Sequence, residues 1–514
     1  METLAVVLTS AVSALLFIVI FNRWLGTWGT EENLLPPGPK GLPLVGNLLD
    51  LPKPGVLEAH HWLKHKDLYG PISSITVFGQ TLIIINDARI ASELLDKRSV
   101  THSNRPKQVF SADMIGWGDS LAFSQNGDRF RTYRKNMSRI IGSKSSAGQY
   151  NNLQEEEVGH FLLHLRDDPD HLVDHIKREA GSIILDIAYG YRSEPFGSDP
   201  LVDILVDVFP LLRHVPDWFP GTSFKRTARQ MRSDLQDVVN KPYAFVKERL
   251  SQGKHNSSFL SNLLDAGDES DEEKLTNKWS ATALYTAGAD TTVSSIACFF
   301  LAMTAYPEVQ RKAQEEIDRV VGQDRLPTLS DRDNLPYLDA VVKEALRWHP
   351  VAPMALPHAS SQADEIDGYA IPKGAMLLPN VWHFTHDPAV YPEPMTFKPE
   401  RFLATESHVP ETDPHKFVFG FGRRICPGRV LADQALFLNI SQSLAVFSIG
   451  KGGVDGKEVT PAIKFTPGVI SHPEPFRATI KPRSQHHESL LRSVEQKYPW
   501  KKGDGEALER LGSA

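Results

Sequence analysis

The chain holds two cysteines among its 514 residues. One of them, Cys426, sits in "FVFGFGRRICPGRVLAD" (residues 417–433), among glycines and arginines and just ahead of a proline. A cysteine is a nucleophile, a metal ligand or a small packed apolar residue. Cys298, inside "SSIACFFLAM", suits the packed role. Cys426 does not. Gly422 and Gly428 let backbone come close to whatever the sulfur touches. Pro427 would open a helix and leave Cys426 at its N-cap, where a thiolate is favoured. Zinc needs further Cys or His ligands, and no cluster of them accompanies Cys426. A nucleophile needs a base, and no neighbour supplies one. The remaining option is a single thiolate on a metal whose other positions a cofactor fills, and haem iron is that case.

A second stretch could move protons. "AGADTT" (residues 287–292) lies inside an apolar, helix-like run from about Trp279 to Ala305. Ala287 and Gly288 leave room for a ligand over the helix. The Thr291 hydroxyl can take the carbonyl four residues back, weaken the ladder and open a bend. Asp290 beside it completes a proton-donor chain. An ordinary helix with a back-bonding threonine accounts for the same residues. "EALR" sets Glu344 and Arg347 three apart on one helix face, where they can pair.

The pattern Phe419-x-x-Gly422-x-Arg424-x-Cys426-x-Gly428 resembles the haem-binding signature of the cytochrome P450 superfamily, the haem-thiolate monooxygenases. The resemblance runs from an N-terminal anchor and the "PPGP" hinge to the "TPGVISHPEPF" turn. In detail it is nearest to fungal secondary-metabolite members. It implies that Cys426 is the axial ligand of a haem b iron, that Phe419 packs against it and that Arg424 reaches a propionate. Gly422, Gly428, Ala287 and Gly288 would lie along the cofactor. Asp290 and Thr291 would deliver protons to oxygen. Glu344, Arg347 and Arg401 of "PERF" would form a buried ionic cluster that serves the fold and haem retention. Arg134 of "DRFRTYRK" would be a second propionate partner, although Phe130 stands where Trp is usual. His358 of "LPHAS" stands where many relatives carry an arginine.

The implied activity is insertion of one oxygen atom from O2 into a hydrophobic or aromatic small molecule, in fungal secondary metabolism or xenobiotic oxidation. A peroxygenase or isomerase that does not use O2, and a non-catalytic haem sensor or carrier, are the alternatives. The chain shows no Gly-x-Gly-x-x-Gly turn for a dinucleotide. Electrons would come from NADPH through NADPH–cytochrome P450 reductase, with cytochrome b5 as a further donor. Arg131, Lys135, Lys416 and Arg423 would form the docking face. Substrate contacts would come from residues 105–126, 208–221, Ala283 and Ala287, 351–357 and 469–471.

These residues need elements to position them. The composition is globular, 41% hydrophobic and 23% charged. A net charge of −7 excludes a basic nucleic-acid footprint, and two cysteines exclude a disulfide framework. Residues 4–21 are apolar and about 27 Å long as a helix, enough to cross a bilayer once. Arg23 and Trp24 would anchor it, with the catalytic domain on the cytosolic side of the endoplasmic reticulum. The expected layout is an anchor at 1–22, a proline-rich linker at 23–47, a catalytic domain at 48–482 and a polar, frayed tail at 483–514. The expected fold is mainly α with small β-sheets. "ISSITV" and "TLIII" read as a hairpin around Phe78-Gly79-Gln80, with Asp87 capping the helix after it. Helices open at Pro307 and Pro336, and Ser270 with Glu273 can cap the long apolar helix. Residues 383–425 read as a long ordered loop.

Overall fold

The computed structural model describes residues 35–202, 223–265, 269–454 and 457–512. The expected anchor at 1–22 and the 208–221 segment lie outside them. Helices dominate, with small sheets. The chain divides into two compact units.

The first unit comprises residues 35–106, Met354–Phe384 and Phe421–Arg423. Strands Ile72–Val77 and Gln80–Ile85 pair antiparallel, Ile72 opposite Ile85. Phe78 and Gly79 turn the corner with φ of +48° and +81°, the left-handed pair that a two-residue hairpin needs. Gln80 belongs to the strand, not the turn. Met376–Pro379 adds parallel to the second strand, and His358–Ala359 closes the sheet. Ile75, Ile84 and Leu378 bury against Trp62 of the Glu58–Tyr69 helix. Asp87 caps the helix Ala88–Ser92 by accepting from Ile90 N at 2.9 Å. The proline hinge is pinned to this sheet. Ser74 donates through its backbone N to Pro37 O at 3.0 Å and through Oγ to Pro36 O at 2.6 Å. Residues 36 and 37 therefore belong to the folded body, earlier than the expected boundary at 47.

The second unit, Lys107–Pro353, Thr385–Gly420 and Arg424–Ala514, holds most of the helices. Its axis is the 35-residue helix Asp271–Ala305. Ser270 and Glu273 form the expected capping box. This helix is long and apolar enough to cross a membrane, but most of it is buried in the protein, as an all-round apolar core helix should be. It packs chiefly on Leu172–Tyr189, and its C-terminal half joins a core with Pro336–Trp348 and Arg429–Val446. Pro307–Val320 and Pro336–Trp348 open on their prolines as expected.

The tail differs from the frayed end that its polar composition suggests. It forms helices Gln485–Lys497 and Gly505–Gly512, with Leu491, Val494 and Leu508 buried. The approach is close: a Cβ built on Gly159 would lie 2.9 Å from Val494 Cγ1. Trp500 stacks on His160 with ring centroids 4.2 Å apart, and Asp504 pairs with Arg249. Few apolar residues suffice when all of them are placed on one helix face. Leu491→Ala should therefore cost about 2–4 kcal/mol, as core leucines do. Chemical denaturation of the full chain measures it, and an unchanged midpoint would show that the tail is not part of the fold.

Candidate active site

The cysteine loop starts from the short helix His415–Val418. Phe419 follows, and its carbonyl accepts from Cys426 N at 2.7 Å, closing the loop. Gly420, with φ of +79°, makes the turn between them. The next helix begins at Arg429 with Gly428 as N-cap, two residues later than the proline placement suggests. The consequence for the sulfur is the same. Burial pushes the Cys426 thiol up, while the N–H groups of Gly428 and Arg429 and the charges of Arg134 and Arg429 oppose that rise. A Cβ on Gly428 would reach Cys426 Sγ at 3.9 Å, so the glycine keeps space beside the sulfur. Cys298 is buried with its thiol raised by burial, an inert packed residue.

Two guanidiniums flank the loop. Arg134, on the helix Asp128–Ile141, donates to Ile425 O. Arg424 donates to Leu121 O at 3.2 Å and Ser124 O at 2.6 Å. Burial, with the repulsion of Arg134, pulls the Arg424 pKa down to about 10. Phe130, where a tryptophan is usual, packs against Arg424. Its ring lies 4.0 Å from Arg424 Cζ, a stacking distance that fixes the guanidinium plane.

On the long helix, Thr291 Oγ1 donates to Ala287 O at 2.7 Å, the back-bond expected from the sequence. The helix is unbroken there. Ala287 is exposed and residues 288–292 are half-buried, within a helix whose flanks are buried. Gly288 has a packing job as well. A Cβ there would meet Ile184 Cγ1 at 2.9 Å, so its smallness serves helix packing. Asp290 has a partner that the sequence did not offer: its Oδ1 lies 3.2 Å from His472 Nε2. The only signal for it was the histidine of "SHPEPF".

Glu344, Arg347 and Arg401 do come together, fully buried. Arg347 Nε and Nη2 grip the Glu344 carboxylate at 2.7 and 2.8 Å. Arg401 Nε lies 3.2 Å from it, and Lys398 N donates at 2.7 Å. Arg347 spends its other donors on the carbonyls of Thr385 and Thr396, whereas Arg401 holds the Glu411 carboxylate at 2.7 Å besides the carbonyls of Pro392 and Thr396. A second cluster was missed. His415 bridges Asp413 at 2.6 Å and Asp433 at 3.0 Å, and Arg332 holds Asp433 with two bonds of 2.6 and 2.9 Å. Burial opposes a charge on His415, but the two carboxylates outweigh it and raise the imidazolium pKa to about 9. The His415 ring stacks on Phe419.

The first unit holds the other two expected residues. His358 is buried, not a surface residue, and shares a 2.7 Å hydrogen bond between Nδ1 and His102 O. Gly422 donates to Asp96 Oδ1 at 2.6 Å, and a Cβ there would lie 2.2 Å from Leu95 O. Its close approach is to the Glu93–Lys97 turn, not to the sulfur. Of the substrate-facing residues expected, Val469 is exposed, but Ser471 is buried and bonded to Thr466 O and His349.

A metal-bound, dianionic, flat cofactor suits these residues. One thiol stands at a helix N-terminus, the charges of Arg134 and Arg429 act on it, Arg424 is buried two residues before it, and among the described residues no group of three His, Cys, Asp or Glu forms a metal site of its own. Comparison with known proteins agrees. The cytochrome P450 family model matches residues 36–480. The cytochrome P450 monooxygenase claR of Ampulloclitocybe clavipes is 48% identical over 91% of this chain and 90% of its own. The cytochrome P450 monooxygenase ppsD of Aspergillus oryzae is 48% identical over 94% and 96%. The O-methylsterigmatocystin oxidoreductase of Aspergillus flavus is 42% identical over 96% and 98%.

Glu344→Gln removes the carboxylate that Arg347 grips, leaves Arg401 to Glu411, and should cost about 3–5 kcal/mol. It should also lower the haem content of purified protein, and normal content with an unchanged unfolding midpoint would refute the role. His415 predicts a pH effect. Its folded pKa lies above its unfolded value, so its stabilisation is full below about pH 6.5 and is lost as pH rises toward 9. The loss should approach about 3 kcal/mol. His415→Gln should flatten unfolding midpoints measured between those limits, and a parallel wild-type and variant profile would count against the bridge.

Proposed function

The chain belongs to the cytochrome P450 family and is a haem monooxygenase, and from that premise we propose a specific version of the reaction. It inserts one atom of O2 into a hydrophobic or aromatic small molecule, in fungal secondary metabolism or xenobiotic oxidation. NADPH supplies two electrons through a membrane-bound NADPH–cytochrome P450 reductase, with cytochrome b5 as a further donor. The apolar 4–21 segment tethers the enzyme to the endoplasmic reticulum with the catalytic domain in the cytosol.

Bound haem supplies the iron at which dioxygen is reduced. Cys426 would hold that iron through its sulfur, with the N–H groups of Gly428 and Arg429 favouring the thiolate. Phe419 fixes the loop through its carbonyl bond to Cys426 N. Arg424, held flat by Phe130, and Arg134 would neutralise the propionates. Asp290 and Thr291 pass protons toward the oxygen side, a general-acid role. Ala287, Ala283 and the exposed Val469 present apolar surface to substrate. Arg131, Lys135 and Lys416 are exposed and carry the charge that would receive an acidic reductase face.

The observation that carries this reading is the Cys426 loop, where the only incompletely buried thiol meets a helix N-terminus and two arginines. The carbon monoxide difference spectrum of the reduced protein tests it. A strongly red-shifted Soret band is expected in the wild type, and Cys426→Ala should abolish it. A variant that keeps the band would overturn the assignment.

A further inference from the structure

Asp290 is clasped by the turn that ends at His472. Its Oδ1 lies 3.2 Å from His472 Nε2, with 27% and 29% of the aspartate and histidine side chains still in water. One helical turn on, Ser294 Oγ donates to Ser471 O at 2.6 Å. Two positions on one helix face thus hold two consecutive residues of the 466–472 turn. That turn is tightly built. Ser471 Oγ donates to Thr466 O at 2.7 Å, and His472 N donates to Thr466 Oγ1 at 3.0 Å. Ser471 N donates to Val351 O at 2.9 Å, and its hydroxyl shares a 3.0 Å bond with His349 Nε2. The His349 ring stacks on Phe465 at 3.6 Å. Three residues before His472, Val469 points out of this framework and is 53% exposed.

We propose that His472 is a positioning residue for Asp290: it orients the carboxylate, returns to it from solvent the proton that Asp290 gives up, and ties that delivery to the turn carrying Val469. This rests on Asp290 and Thr291 being the proton-delivering pair. In the relay, the imidazolium form of His472 gives its Nε2 proton to Asp290 Oδ1 as Asp290 passes one on toward Thr291. The neutral imidazole left behind is reprotonated by a solvent acid, hydronium or buffer, and no electrons move. The cost of a slow relay is visible without a substrate. Two NADPH and two protons reduce one dioxygen to two waters, whereas one NADPH and one proton reduce it to hydrogen peroxide. Slow proton delivery favours the second course. The same turn brings an apolar contact and a proton source to one place, so displacement of Val469 by a bound molecule would move the histidine that serves the acid.

The test uses the haem-loaded full chain, NADPH and a purified cytochrome P450 reductase, with no substrate added. The readouts are water and peroxide formed per dioxygen, and amide exchange across residues 466–472 in the resting protein. Variants are compared once their carbon monoxide spectra match the wild type. His472→Gln keeps an N–H against Asp290 but passes no proton, so the water-to-peroxide ratio should fall about tenfold while loop protection is kept. His472→Leu should lower the ratio similarly and also raise exchange in the turn. Asp290→Asn should match His472→Gln, and the double variant should fall no further. An unchanged ratio in His472→Gln beside a fall in Asp290→Asn overturns this proposal and leaves the Asp290 reading standing. An unchanged ratio in Asp290→Asn overturns the reading beneath it. Loop exchange unmoved by His472→Leu breaks the tie to the turn. If His472→Leu does not load haem, His472→Gln alone decides.

Discussion

A carboxylate cut off from water must find its hydrogen bonds inside the protein, and Glu344 finds them in the segment that leads to Cys426. It accepts from Arg347, Arg401 and Lys398 N at once. Residues 387–398 have almost no repeating structure of their own. They are shaped by where their carbonyls must stand to satisfy two buried guanidiniums. Removing Glu344 strands the Arg347 charge, while Arg401 keeps Glu411 as its remaining carboxylate. Asp433 repeats the device further along: Arg332 and His415 meet on it, and His415 starts the short helix before Phe419. A long loop without periodicity is thus hung on a buried carboxylate at one end and a half-buried one at the other.

The cysteine inherits its position from that suspension. His415 is held between Asp413 and Asp433, so the His415–Val418 helix cannot drift, and Phe419 presents a fixed carbonyl to Cys426 N. The sulfur then meets the first N–H groups of Arg429–Val446, the helix that also carries Asp433. One element therefore supplies both the partial positive charge that favours the thiolate and the carboxylate that steadies the loop. In monooxygenase chemistry the protein contributes placement and electrostatics, and the difficult electron rearrangement belongs to the cofactor.

Local relationships were legible in the sequence. The capping box at Ser270 and Glu273, the Thr291 back-bond to Ala287, the Glu344–Arg347 pair and the Phe78–Gly79 hairpin all depend on residues within four positions of each other. Periodicity and turn chemistry report such spacings directly. Arg401 was reached through resemblance, not spacing. The relationships that escaped join residues far apart in the chain. Arg424 finds Phe130, Asp290 finds His472, His415 finds Asp433 and Gly159 finds Val494. The tail escaped for a different reason. Its helices bury only a few side chains, and sparse apolar residues in a charged sequence look like solvent-facing chain until the docking surface is known.

Phe130 and Gly288 show how a short motif can carry packing roles that its pattern does not announce. A missing tryptophan N–H suggests a lost contact, yet the phenylalanine ring stacks on Arg424 while two carbonyls take its donors. The guanidinium is held in plane by a face instead of an edge, and the ring needs no polar atom for that. Gly288 reads as space for a ligand, yet its hydrogen faces Ile184, where any Cβ would force two helices apart. The neighbouring Ala287 is the residue left open. The small-residue patch thus serves two constraints a hundred degrees apart on one helix, close packing behind and open surface in front. A substitution at 288 would act by moving the whole helix, and with it Asp290 and Ser294, against the turn they hold. The site's shape therefore depends also on how the helix packs behind it.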